Sequence, residues 1–266
     1  MRDLNALPDL RLALVQGPLV RHDVCANLAY FTQALDEVQA QPEPVDLVIL
    51  PEMFNSAFTM DSAAQAEPEM GVTTQWLLQQ AVRLNAVVCG SLITQVVEGD
   101  YRNRLIWARP DGSFAHYDKR HLFRMAGEHQ YFSAGQQQLL VELKGWRIRP
   151  LICYDLRFPV WSRDAQYTDL LLYVASWPAA RRTAWNRLLP ARAIENLCYV
   201  AAVNRTGEDH QGYAHSGDSQ VLDYMGEPLV QAGDQAGVFY ATLSATALAQ
   251  FKQRFPAYLD ADTFSW

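Results

Sequence analysis

Two short apolar runs, DLVIL at 46–50 and DLLLYVAS at 169–176, constrain this chain more than any other feature. Each opens on an Asp-Leu pair and neither alternates with polar residues, so both read as buried strands. Their neighbours come in the same order in both halves. In the first half RLALVQ (11–16) is a strand and Cys25 to Val38 a helix, with Leu28, Phe31, Leu35 and Val38 along one face. Pro42 and Pro44 break that helix before DLVIL. A second helix fits Thr73 to Leu84, with Thr73 or Thr74 as its N-cap. VVCGSLI and RLIWARP follow as neighbouring strands about a polar turn at Gly99-Asp100. In the second half RIRPLIC (147–153) is a strand, Phe158 to Gln166 a short helix, and DLLLYVAS the buried strand. Thr183 to Asn196 is the next helix, and CYVAAVN (198–204) and SQVLDY (219–224) are strands.

A second echo supports the comparison: Asn85-Ala86 precedes VVCG, and Asn196-Leu197 precedes CYVA. Spacings differ between the halves, so the repeat is structural rather than tandem. It predicts an α/β protein of two α-β-β units, packed sheet on sheet with helices outside. With 266 residues, no linker and no low-complexity tract, the chain reads as one domain, 1–266.

Composition removes several function classes. The 22 basic and 29 acidic residues leave a net charge of −7, which argues against a nucleic-acid or acidic-membrane surface. The four cysteines (Cys25, Cys89, Cys153, Cys198) are scattered without a CxxC pair, as expected of free thiols in a reducing compartment. MRDLNALPDL carries no apolar signal-peptide core, and the longest apolar run is too short to span a bilayer, so a cytoplasmic protein is expected. GxGxxG, GxxxxGKS and GxSxG are all missing, which leaves dinucleotide, P-loop and serine-hydrolase readings without support. His210 and His215, in EDHQGYAHSGD, suit a loop over a site better than a metal centre.

In α/β proteins reactive groups collect just past the carboxyl ends of strands. Glu52 follows DLVILP, Lys119 lies in HYDKRHLF after the RLIWARPDGSF region, and Cys153 ends RIRPLIC. Taken singly, each has a plain reading. A free cysteine at a strand end is more often core than nucleophile, although Asp155 and Arg157 show this strand leaving the core. Glu52 is either a solvated turn residue or a desolvated carboxylate with the raised pKa that a general base needs. Lys119, beside Asp118, Arg120 and His121, reads first as part of a solvated charge cluster.

Together, LPEMF, YDKRHLF and LICYDLRFP, in the order Glu, Lys, Cys, resemble the nitrilase or carbon–nitrogen hydrolase superfamily. The likeness runs from RLALVQ to HSGDSQVLDYMGEPL at 215–229, nearly the whole chain. It implies a four-layer α-β-β-α sandwich, usually dimerised through helices near the active site. It also implies Cys153 as nucleophile, Glu52 as general base and acid, and Lys119 with the Tyr154 backbone N–H as oxyanion donors. Glu128 in AGEHQYFSAG matches the family's second glutamate, which orients the lysine and the substrate amide. No metal or organic cofactor is implied.

Within the superfamily the motifs, with the tryptophan of YVASWP, look most like the omega-amidases. That implies hydrolysis of the terminal amide of small ω-amido 2-oxo acids such as 2-oxoglutaramate and 2-oxosuccinamate. Alternatives are another small amide or N-carbamoyl substrate, or a non-catalytic binding protein on the same fold. An ω-amido 2-oxo acid needs a cation for its distal carboxylate. Arg157 and Arg205 are candidates, with a salt bridge to Asp155 or another nearby acid as the competing reading of Arg157. Trp177, Phe54 and Met53 are candidate pocket walls, or simply core.

Overall fold

The structure is a computed structural model that describes residues 4–163 and 167–262. Its first half runs β1 (Leu10–Gln16), α1 (Val24–Gln39), β2 (Leu47–Ile49), α2 (Ser62–Gln65), β3 (Glu67–Pro68) and α3 (Val72–Leu84). The strands β4 (Val87–Val97), β5 (Asp100–Ala108) and β6 (Phe114–Asp118) complete it. The second half runs β7 (Val141–Leu143), β8 (Trp146–Ile152), α4 (Pro159–Ser162), β9 (Leu170–Val174), α5 (Arg182–Asn196) and β10 (Tyr199–Val203). A small hairpin of β11 (Thr206–Glu208) and β12 (Ala214–Ser216) precedes β13 (Gln220–Leu222), β14 (Pro228–Gln231), β15 (Gly237–Leu243) and α6 (Ala245–Arg254). Among the described residues no helix is long and apolar enough to cross a membrane.

The two sheets have one plan. The first orders its strands β15-β1-β2-β4-β5-β6 and the second β7-β8-β9-β10-β13-β14. In each, three parallel strands are flanked by one antiparallel strand on one side and two on the other, and in the first sheet the two-residue β3 also pairs parallel with β4. The Asp-Leu echo has a physical cause. Asp46 and Asp169 each accept the N–H of an arginine opening the neighbouring parallel strand, Arg11 and Arg147, both at 2.9 Å. Each aspartate also returns its own N–H to the carbonyl of that arginine. These carboxylates lock the start of a parallel pair, where the ladder would otherwise leave an N–H unmet.

Alternation sorts the layers. On the first sheet Leu47, Ile49, Leu105 and Trp107 join the second sheet's Trp146, Ile148 and Leu172 in the inter-sheet core. Val48, Leu50, Val88 and Ile106, on the opposite face, pack on Phe31, Leu35, Leu77 and Ala81 of α1 and α3. Trp185, Leu189 and Leu248 from α5 and α6 cover the second sheet. The result is the α-β-β-α sandwich that the repeat predicts.

Three details differ from the sequence reading. Neither Thr73 nor Thr74 caps α3: Gly71 holds that position and the Glu67 carboxylate takes the Thr73 N–H at 2.7 Å. The expected helix over Phe158 to Gln166 is a single turn, α4, with 164–166 outside the described residues. The asparagine echo is offset by one, because the left-handed C-cap falls on Asn85 (φ 49°) after α3 but on Leu197 (φ 51°) after α5.

Candidate active site

Stacking the two sheets brings the ends of β2, β6, β8 and β9 to one place. Glu52, Lys119 and Cys153 leave β2, β6 and β8, and the Glu52 N–H donates to the Ala175 carbonyl at the end of β9 (3.4 Å). Cys153 takes a left-handed φ of 44° where the strand breaks into the tight turn Cys153–Arg157, and Met53, just past Glu52, has φ 45°. Such conformations are costly for residues with a Cβ and cluster where a side chain must be aimed.

The charged groups are dry. Glu52, Glu128 and the Lys119 side chain have essentially no solvent exposure, and Cys153 retains 9%. Lys119 Nζ lies 2.8 Å from Glu52 Oε1 and 2.9 and 3.0 Å from the two oxygens of Glu128. Asn103 Nδ2 donates to Glu52 Oε1 at 2.8 Å, and the Ser176 N–H donates to Oε2, also at 2.8 Å. The Cys153 thiol lies within the electrostatic reach of Glu52, Lys119 and the Ser176 backbone.

Burial would discharge the Lys119 ammonium, but the charges of Glu128 and Glu52, with the thiol beside them, hold its pKa above the ordinary lysine value. Glu128 is pushed up, first by burial and then by Glu52, with Lys119 opposing. Burial, followed by Glu52, drives the Cys153 thiol well above its usual value despite Lys119. Burial and Glu52 thus favour the neutral thiol over a thiolate before substrate binds. The arrangement can move one proton from sulfur to carboxylate, with a fixed cation beside both.

A third buried carboxylate, Asp155, ties these pieces together. Asp155 accepts the Tyr117 hydroxyl (2.8 Å), the Ile152 N–H (3.1 Å) and the His121 N–H (2.9 Å), and His121 Nδ1 lies 2.8 Å away. It links the turn of Cys153 to the loop of Lys119, and among the described residues it makes no salt bridge with Arg157. The Arg157 guanidinium instead lies 5.0 Å from the Trp177 ring centroid.

A cavity of about 260 Å³ opens onto the thiol. Lys119, Cys153, Arg157 and Trp177 line it, as does the β11–β12 hairpin through Tyr213 and His215. Two expectations fail here. Arg205 is buried outside this lining, its guanidinium donating to the carbonyls of Leu19, Thr206 and Glu208. Phe54 packs edge-on against Phe31 in the helical core, and Met53 lies in a small cluster with Ile93 and Phe132, so Phe58 is the wall instead.

Sequence reading also missed Asn103, Ser176 and Arg181. Arg181 lines the cavity with its guanidinium 5.0 Å from the Phe123 ring centroid. Asn103 had a usable signal, a polar residue opening an apolar strand. Arg181, in a polar turn before α5, had none.

Comparison with known proteins agrees with this geometry. The carbon-nitrogen hydrolase family profile matches residues 11–253. The omega-amidase YafV of Yersinia enterocolitica is 48% identical over 256 residues, 96% of this chain and 98% of its own. The 2-oxoglutaramate amidase of Bacillus subtilis is 31% identical, over 84% of this chain and 87% of its own. A CN-hydrolase superfamily protein of Xanthomonas campestris, whose crystal structure carries an arsenic adduct in the active site, superposes with a TM-score of 0.93. It is 48% identical, covering 98% of this chain and 100% of its own. With a thiol, a lysine and two carboxylates meeting at the strand ends of a doubled α-β-β unit, and with relatives along nearly its full length, this chain belongs to the carbon–nitrogen hydrolase family.

Proposed function

We propose that the protein hydrolyses the terminal amide of small ω-amido 2-oxo acids, 2-oxoglutaramate and 2-oxosuccinamate, to the 2-oxo dicarboxylate and ammonia. The observation that carries this reading is one small cavity holding Cys153 and Lys119 at its base and Arg157 and Arg181 on its wall. Among the described residues neither arginine makes an ion pair with a carboxylate. A short substrate fits with its amide at the thiol and its carboxylate on guanidinium. The names of the similar proteins from Yersinia and Bacillus support the same substrate class.

The cycle follows from the contacts. As the Cys153 sulfur attacks the amide carbon, its proton passes to Glu52, so no free thiolate need exist beforehand. Charge on the amide oxygen is met by Lys119 and the Tyr154 N–H, while Glu128 holds the ammonium in place. Glu52 returns the proton to nitrogen as the C–N bond breaks and ammonia leaves. It then takes a proton from water, whose oxygen attacks the thioester, and returns that proton to sulfur.

Ammonia release from 2-oxoglutaramate, measured beside glutamine, asparagine and N-carbamoyl-β-alanine, tests the assignment. The 2-oxo amide should turn over fastest, and Arg157→Met should raise its KM by about 10- to 100-fold, the worth of one charge-assisted hydrogen bond. Preference for an N-carbamoyl compound, or an unchanged KM in the variant, would count against it.

The working form is a homodimer built on the helical side of the second sheet. There Val160 of α4, Ile194 of α5 and Phe255 and Leu259 after α6 leave large apolar side chains about half or more exposed. Light scattering should return the dimer mass; a monomer at micromolar concentration would contradict this. A reducing cytoplasm suits the enzyme, since all four cysteines are free and turnover needs the Cys153 thiol.

A further inference from the structure

Ser176 takes part in the site so far only through its backbone N–H on Glu52, yet the residue also lines the cavity with Cys153 and His215. Its hydroxyl is 3.4 Å from His215 Nε2, and the other ring nitrogen, Nδ1, is 3.1 Å from the Tyr213 carbonyl. A carbonyl can only accept, so Nδ1 carries the ring proton and Nε2 is left as an acceptor. The imidazole stays neutral because burial, with Arg205 next, pushes it down to about 4. The Ser176 O–H therefore donates to Nε2, and the oxygen lone pairs remain for the cavity. Asp209 braces the hairpin that carries the histidine by accepting the N–H groups of Gln211 and Tyr213, both at 2.9 Å.

We propose that Ser176 Oγ accepts a hydrogen bond from the NH2 group of the scissile amide, with His215 as the positioning residue that fixes this polarity. The inference rests on the amidase reading of the site. Its chemical consequence concerns the leaving nitrogen. Once the carbon is tetrahedral, that nitrogen must turn its lone pair toward the protonated Glu52 to be expelled as ammonia. An N–H held by Ser176, whose own backbone N–H is bound to Glu52, sets the nitrogen in that orientation. A carboxylic ester of the same acid offers no N–H and gains nothing from the arrangement. The site is thus selective for primary amides over esters by a group that does not touch the carbonyl.

The test compares kcat/KM for 2-oxoglutaramate and for the ω-methyl ester of the same 2-oxo acid, in wild type, Ser176→Ala and His215→Phe. Each variant should lose about tenfold on the amide, the scale of one neutral hydrogen bond, and stay within about twofold on the ester. Equal losses on both substrates would mean a structural role and overturn the proposal, as would full amide activity in both variants. A wild-type protein that releases no ammonia from any small amide overturns the amidase reading, and this inference with it. The two variants change different elements, the end of β9 and the hairpin, so a folding failure in one leaves the other to decide.

Discussion

Cys153→Ala yields a folded protein that releases no ammonia, its turnover reduced by at least about four orders of magnitude, as when the nucleophile of a coupled site is removed. Nothing else in the cavity replaces the sulfur. Lys119 is a cation held by two carboxylates, and Glu52 is tied by Lys119, Asn103 and Ser176. The substitution deletes one atom at the cavity floor and retains the Cβ and the left-handed backbone, so no new strain is introduced. Thermal melting should move by only a few degrees, equivalent to about 1 kcal/mol in a domain of this size. Wild-type ammonia release from the alanine variant would end the mechanism, whatever the melting curve shows.

Lys119→Met has a different signature, because it damages both chemistry and fold. Removing the cation leaves Glu52 and Glu128 facing each other without solvent, which breaks a buried ion cluster at a cost of about 3–5 kcal/mol near neutral pH. Loss of the oxyanion donor lowers kcat by a further factor of about 10²–10³. The stability loss should depend on pH, and the sign follows from Glu128. Burial and Glu52 already raise its pKa in the folded state, and Lys119 is what opposes them. A carboxylate whose folded pKa lies above its unfolded value binds more protons when folded, so stability falls as pH rises past the unfolded value near 4.3. Urea titrations at pH 5 and pH 8 should place the variant nearer to wild type at the lower pH. A deficit that is the same at both, or below about 1 kcal/mol, would show that the cluster is not the buried charged group described above.

Much of the fold was legible in the residues. The uninterrupted DLVIL and DLLLYVAS segments mark strands covered on both faces, and their leading aspartates mark the start of equivalent parallel pairs. Hydrophobic period, length and turn residues carry that information locally. Element ends were less legible. Gly71 rather than a threonine caps α3, because a carboxylate from β3 reaches the Thr73 N–H from outside the helix. A contact of that kind leaves no trace in helical periodicity.

The site divides along the same line. Motif order proposes Glu52, Lys119, Cys153 and Glu128; the structure hydrogen-bonds Glu52 and Glu128 to Lys119 and sets Cys153 in the same cavity as the lysine. Arg205 and Phe54, one and four residues past the runs CYVAAVN and DLVIL, were misplaced. Alternation and loop exit decide direction there, and both turn inward. Ser176 and Arg181, from the β9–α5 connection, share one cavity with His215 of the β11–β12 hairpin only in the folded chain. The sequence by itself determined the repeat, the layers and the reactive side chains, because each is written in neighbouring residues. The tertiary structure alone decided that burial and Glu52 press the thiol toward its neutral form, that Arg157 is left without Asp155, and that the Ser176 hydroxyl meets His215 at the cavity. Those depend on burial and on partners distant in the chain, and only packing the two sheets face to face creates them.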